Sequence, residues 1–334
     1  MKALLSLAPG KPDTLVLQDV ADPIAGPGEV LVRVGACGVN FLDTLIVEDL
    51  YQVKPPRPFS PGVEVAGVVE AIGDGVTRFA PGDRVIALPA YGGMAEKVVV
   101  AQERAFALPA ALDFAAGAGL LLTYGTGIHA LKGKGRAKAG ESLLVLGAGG
   151  GAGLSAVELG KALGLRVVAA VSNETKAEAA RKAGADEVIL YGRPPFDRDA
   201  ARTLSRAFKA ACGGEGADIV YDAVGGDYAE PALRAMAWGG RYLIVGFAAG
   251  IPALPFNLAL LREIDLCGVF YGAFMERDPA HNATLAAELF ALAGKGAIAA
   301  HVSETFPLAQ GGAAIARLAS RQSVGKVVVT MGIE

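Results

Sequence analysis

Over its first ~120 residues the chain carries short apolar or alternating runs, "VLVRVGACGV", "VEVAGVVEAIG", "DRVIAL" and "AEKVVV", with no helical periodicity. Pro27-Gly28, Pro61-Gly62 and Pro81-Gly82 punctuate them, as turns between strands require. This part reads as β-rich. From about residue 124 the period changes, and apolar strands alternate with helical segments of 10–15 residues. That alternation predicts a parallel sheet with crossover helices. Six strands are expected, at 142–147, 166–171, 187–191, 219–224, 241–247 and 266–271. Six is the number in a doubly wound dinucleotide fold. After residue 275 come a helix in "NATLAAELFALAGKG", an edge-like strand, another helix and a last strand, "GKVVVTM". A lone last strand needs a partner, which the N-terminal β region can supply. The expected division is therefore 1–123 with 276–334, around a second domain at 124–275.

Composition narrows the class without choosing a function. A chain of 334 residues, 52% apolar and 19% charged, can build large cores and is not extensively disordered. Its most apolar stretch, "FAAGAGLLLTYGTGIHAL", is interrupted by glycines, Thr123, Tyr124, Thr126 and His129, which suits a buried segment and not a membrane span. The opening "MKALLSLAPGKPDTL" has too short an apolar run for a signal sequence, so a cytoplasmic protein is expected by default. Cys37, Cys212 and Cys267 are far apart and form no CxxC, which excludes a disulfide framework or a cysteine-rich zinc lobe. A net charge of −3 gives no footprint for nucleic acid.

Chemistry enters at "SLLVLGAGGGAGLSAVELGKALG", where a strand runs through a glycine-rich turn directly into a helix. Small residues at Ala148, Gly150 and Gly153 give an A-x-G-x-x-G form of the dinucleotide fingerprint. They allow a tight turn and close approach of a pyrophosphate, and the helix N-terminus offers free N–H groups to it. A glycine-rich turn without a ligand is the plainer reading, and the strand before and helix after weigh against it. At the end of the second strand, "AAVSNETK" puts Ser172 and Asn173 where an NAD site would carry an acid. Lys176, shortly beyond, suits a ribose 2′-phosphate, or is simply a solvated helix residue. "NETK" also reads as a capping turn, and Glu174 could oppose a phosphate or bond a ribose.

One carboxylate stands out. In "SPGVEVAG", Glu64 lies among small and β-branched residues, and burying an ionised carboxylate is costly unless it is paired. A backbone N–H or an arginine is the expected partner.

Taken in order, "GVNFLDTLI", "PGVEVAGVVEAIGDGV", "PGDRV", "TYGTGIHAL", the glycine turn, "AVSNETKAEAARKAGAD" and "SRQSVGKVVV" resemble the medium-chain dehydrogenase/reductase superfamily. The likeness is to its zinc-independent NADPH:quinone oxidoreductase branch, the zeta-crystallin-like enzymes, and it covers nearly the whole chain. It implies a GroES-like domain and a Rossmann domain, with the cofactor in the cleft between them, and a homodimer. Zinc-dependent relatives keep metal ligands in a Cys turn and a Gly-His-Glu turn. Here Asn40 falls at the Cys position and Val63 at the His position, and valine cannot ligate a metal. His129, His281 and His301 share no ligand spacing, so no metal is expected.

Carried over position by position, the resemblance implies cofactor contacts at Asn40, Phe41 and the following residues including Thr44, and at Thr126 and His129. It adds the turn Gly150-Gly151-Ala152-Gly153, then Ser172, Asn173, Lys176, Tyr191, Gly246, Phe247 and Arg321. Lys176, Tyr191 and Arg321 would surround the 2′-phosphate, which favours NADPH over NADH, since a dianion needs a cation and several donors. Leu45 departs from a frequent family tyrosine, while Tyr51 matches a second one, either as a working hydroxyl or as an aromatic packed in a loop. The expected activity is metal-free hydride transfer to a quinone or another α,β-unsaturated carbonyl. Asn40, Tyr51 and Thr126 would supply the catalytic polar contacts, and water or Tyr51 the proton. An enoyl-thioester reductase is the nearest alternative. A non-catalytic NADPH-binding structural protein is the alternative of another class.

Overall fold

The apolar runs become strands in the computed structural model, which describes residues 1–332. In the N-terminal part these are β1 (Lys2–Leu5), β2 (Val16–Asp19), β3 (Glu29–Val39), β4 (Val65–Ile72), β5 (Arg84–Ala87), β6 (Lys97–Ala101) and β7 (Ala105–Ala107). The alternating part supplies β8 (Ser142–Leu146), β9 (Arg166–Val171), β10 (Glu187–Leu190), β11 (Ala217–Asp222), β12 (Met236–Ile244) and β13 (Asp265–Gly268). Two more follow, β14 (Val302–Pro307) and β15 (Lys326–Thr330). The helices are α1 (Phe41–Ile46), α2 (Phe114–Ala118), α3 (Leu121–Ile128), α4 (Gly151–Ala162), α5 (Glu174–Lys182), α6 (Arg198–Ala211), α7 (Ala229–Arg234), α8 (Asn257–Leu260), α9 (Tyr271–Arg277), α10 (Pro279–Gly294) and α11 (Gly311–Ala319).

Two units divide the chain. The first joins Met1–Leu122 to the segment from Ala299 onward. Its main sheet runs β14-β15-β3-β4-β5-β7, with β6 also on β3. The last strand finds its partner here, pairing antiparallel with β3 from Val327↔Val39 to Thr330↔Ala36. Val30, Val32, Val65, Val85, Val327 and Val329 meet in one buried cluster. Each such valine contributes about 1.5–3 kcal/mol relative to exposure. Helix and sheet are thus tied by a hydrophobic core that spans both ends of the sequence.

The second unit, Thr123–Ile298, holds a parallel six-stranded sheet ordered β10-β9-β8-β11-β12-β13. The order reverses beside β8, and that switch point is where doubly wound sheets bind ligands. β8 is buried at every position, so it reads as a continuous apolar run and not as an alternating one. β12 begins earlier than expected, at Met236, because Ala217 pairs with it before a shift of register reaches Ile219↔Arg241. The expected boundary at residue 276 also moves. Residues 276–298 belong to the second unit, because α10 packs on α9 and buries Leu285, Ala286 and Leu289. The end of the expected range, Ile333 and Glu334, lies outside the described residues. Among the described residues no helix is long and apolar enough to cross a membrane.

Candidate active site

In the second unit, β8 passes into α4 through Gly147–Gly150. Gly147 has φ +71°, a conformation that only glycine adopts without cost. Gly150 is the N-cap of α4, whose first turn runs Gly151-Ala152-Gly153. A Cβ on Gly153 would lie 2.6 Å from Ala148 Cα and would collide with the Gly147 carbonyl oxygen. The third small residue is therefore demanded by helix–strand contact. A Cβ on Gly149 would lie 2.5 Å from Lys176 Cβ, so the Lys176 side chain lies directly over the turn. The residues fit a pyrophosphate with an added phosphate: a backbone cradle, a 12-residue helix opening on it, and an ammonium-bearing chain beside it.

The sequence alternatives at "SNETK" resolve into separate roles. Asn173 Oδ1 accepts from Lys176 N at 3.0 Å and caps α5, so this is indeed a capping turn. Glu174 is drawn to Arg181, with Nη1 to Oε1 at 2.6 Å, and its charge is engaged there. Ser172 is exposed beside them. Tyr191 is buried, its ring 4.5 Å from that of Tyr228. Gly246 donates its N–H to the Asp222 carbonyl at 3.1 Å, and Phe247 next to it is exposed. Asp222 also accepts from Tyr242 Oη, Val224 N and Gly225 N, and fastens the loop after β11. Burial pushes its carboxyl above the usual range despite those donors.

Thr126 lies half-buried near the end of α3, and the chain then widens into a π-helical turn, His129–Lys134. Such turns recur at functional sites. His129 stacks on Phe274 at 3.8 Å between ring centres, and its Nδ1 has no hydrogen-bond partner. Burial first, and the Lys134 charge second, hold its pKa down at about 4, so the ring is neutral at pH 7.

In the first unit Asn40 starts α1. Its backbone N–H donates to Asp43 Oδ2 at 2.8 Å, and Asp43 Oδ1 accepts from Gly62 N at 3.0 Å. Asp43 is fully buried, and desolvation raises its pKa to about 6 against those two bonds. Thr44 Oγ1 donates to the Phe41 carbonyl at 2.6 Å, and Phe41 itself is exposed. Tyr51 packs on Ile46, Val47 and Phe59, and its phenol is raised by burial and then by the Asp43 charge. Arg321 sits just past the end of α11 with φ +59°.

Glu64 has found its partners. Oε1 accepts from the Leu122 backbone N–H at 2.7 Å, as expected, but the cation is Lys326 and not an arginine, with Nζ 2.8 Å from Oε2. Lys326 Nζ also donates to Asn40 Oδ1 at 2.5 Å. Asn40 Nδ2 donates to Glu64 Oε2 at 3.3 Å and to the Gly38 carbonyl at 3.1 Å. Both Asn40 amide hydrogens are therefore spent inside the unit, and what it can offer a ligand is the second lone pair of Oδ1. The residues at the zinc positions do not fit a metal: Val63 is buried and apolar, and Asn40 is engaged by an ammonium.

A dinucleotide turn on a doubly wound sheet, joined to a β-rich unit built from both ends of the chain, defines a two-unit dehydrogenase/reductase. The family models described as alcohol dehydrogenase GroES-like domain and zinc-binding dehydrogenase match residues 26–110 and 151–288. A Bos taurus quinone oxidoreductase-like protein 2 is 33% identical over 95% of this chain and 89% of its own length. A mycobacterial structure complexed with NADPH is 32% identical, with TM-score 0.91, covering 99% of this chain and 100% of that one. The Escherichia coli quinone oxidoreductase complexed with NADPH is 28% identical, with TM-score 0.90 and the same coverage. The chain belongs to the quinone oxidoreductase family of medium-chain dehydrogenases/reductases.

Proposed function

We propose that the protein is an NADPH-dependent reductase of quinones or related α,β-unsaturated carbonyls, acting as a homodimer in the cytoplasm. The observation that carries the cofactor is Lys176 lying over the glycine turn, with Ser172 and Asn173 at the strand end where an NAD site would carry an acid. The backbone of Gly150–Gly153 receives the pyrophosphate. Lys176, Tyr191 and Arg321 serve the 2′-phosphate, with Ser172 and Asn173 beside the ribose. Phe41, Thr44, His129, Gly246 and Phe247 line the rest of the cofactor. When bound, NADPH supplies the hydride.

The chain's own part is to bind, orient and exclude water. Neutral His129, stacked on Phe274, adds bulk without charge. Asn40 Oδ1 accepts from an amide N–H such as that of the nicotinamide carboxamide. The hydroxyls of Tyr51 and Thr126 take the donor role toward the oxyanion that develops on the acceptor. With a hydride entering carbon, one proton must reach oxygen, from Tyr51 or water.

The test is a panel of quinones, enones and 2-enoyl thioesters with NADPH and with NADH. Turnover of small quinones or enones with NADPH, and at least tenfold lower kcat/KM with NADH, is expected. Turnover confined to thioesters would move the assignment to an enoyl-thioester reductase. Tight NADPH binding without oxidation by any acceptor would leave a structural protein.

A further inference from the structure

Three neighbouring strands of the first unit bring one polar side chain each to a single point. One step beyond the Val327↔Val39 pair, the register sets Lys326 opposite Asn40. One step beyond Cys37↔Val65 it sets Glu64 opposite Gly38, where Gly38 N donates to the Glu64 carbonyl at 2.9 Å. The three side chains close a ring: ammonium to carboxylate, ammonium to amide oxygen, amide nitrogen to carboxylate. Lys326 is 4% exposed, Glu64 0% and Asn40 7%, so the two charges are buried and Asn40 is the most accessible of the three.

Space has been cleared for it. A Cβ on Gly38 would lie 2.9 Å from both Glu64 Oε2 and Lys326 Cε, and one on Gly119 would lie 3.2 Å from Lys326 Cγ. A Cβ at 38 would collide first with the Ala118 carbonyl oxygen of α2, so this glycine serves the helix contact as well as the ring. The ammonium also does what no apolar residue could. An asparagine amide is nearly symmetric in shape, and only its partners decide which end is oxygen. Lys326 can only donate, so it turns Oδ1 toward itself and leaves Nδ2 to Glu64 and Gly38.

We propose that Lys326 is a positioning residue: held by Glu64, its ammonium fixes the orientation of the Asn40 amide at the start of α1. Zinc-dependent relatives place a metal-bound cysteine at the Asn40 position; here one fixed monocation bonds that position from inside the fold. This rests on the reading of Asn40 as a cofactor contact. Lys326 touches neither cofactor nor acceptor and acts through Asn40.

The test uses the paired variant E64Q/K326M, which removes both charges together, because removing one would strand the other. E64M/K326M takes its place where the first does not fold. The chain has four asparagines, Asn40, Asn173, Asn257 and Asn282, so selective ¹⁵N-asparagine labelling resolves the Asn40 side-chain amide. In the wild type its two protons are expected to be well separated and slow to exchange. In the paired variant they should average and exchange quickly. kcat should fall about tenfold or more, with a smaller change in KM for NADPH. Adding N40A to the paired variant should cost little further, since both changes break one unit. An unchanged Asn40 spectrum, or a full additional loss from N40A, overturns the proposal. A wild type that oxidises no NADPH overturns the functional reading alone, and the asparagine spectra still decide the role of Lys326.

Discussion

Asp43 and Arg321 show how single residues carry costs that a site can explain. Asp43 is fully buried, and its pKa is raised from 3.8 to about 6. The native state thus holds this proton more tightly than the unfolded chain. Its stabilising contribution is present below about pH 4 and is lost as pH rises through about 6, a change of up to about 3 kcal/mol. The stability of the wild type minus that of Asp43→Asn, from urea unfolding, should therefore fall between pH 4 and 7; parallel curves would refute the assignment. Arg321 occupies the left-handed region at the C′ position of α11, where glycine is usual. Arg321→Gly should relieve about 1 kcal/mol of backbone strain. It should also raise KM for NADPH about tenfold while leaving KM for NADH unchanged. A more stable protein with undiminished NADPH affinity would remove Arg321 from the phosphate site. At this scale the sequence was readable where a residue type is forced by its own neighbourhood, as in the glycine turn. Lys326 was not, because its partner Glu64 lies 262 positions away and only strand register joins them. A signal existed: a single lysine opening the buried run "GKVVV", and a single carboxylate inside "VEVAG".

Elements were legible in proportion to how much of their pattern is set by burial. The inner strands β8, β9 and β11 of the parallel sheet are buried at nearly every position and read as continuous apolar runs, whereas the edge strands β10 and β13 are partly exposed. α1 was not anticipated, since six residues give less than two turns and too little periodicity to detect. α10 carries a helical pattern, but that pattern shows that a face is buried and not what buries it, and here the cover comes from the second unit. The β8–α4 turn is the element on which the cofactor reading stands. Gly153→Ala forces a methyl group against the Gly147 carbonyl and Ala148 Cα, both backbone, so the helix must move. A loss of about 2 kcal/mol in unfolding free energy is expected. NADPH titration should show at least tenfold weaker binding, because the displaced N-terminus no longer aims its N–H groups at the pyrophosphate. Full retention of affinity would mean that the dinucleotide lies elsewhere.

For the whole molecule, the open question of assembly is posed by the edge of the second unit. β13 ends the parallel sheet, so its outer backbone groups lack a strand partner within that sheet. Edge strands are normally blunted by charge, proline or cover. Here Phe256, Leu260 and Leu261, just before β13, are 74%, 79% and 65% exposed. Trp238 is 68% exposed, and its neighbour Gly239 donates to the Arg262 carbonyl at 2.8 Å, which places it beside that segment. Apolar side chains gathered along an unpaired strand mark an interaction surface. A second copy would satisfy both features at once. An antiparallel pairing of β13 with its symmetry mate would continue the hydrogen-bonded ladder and bury the same side chains twice. Light scattering on the purified protein should give twice the chain mass of 34.0 kDa. Leu260→Glu with Leu261→Glu should shift it toward the monomer, since each burial of an unpaired carboxylate is strongly unfavourable. A wild-type monomer at micromolar concentration, or a double variant that remains fully dimeric, would place the contact elsewhere or deny it.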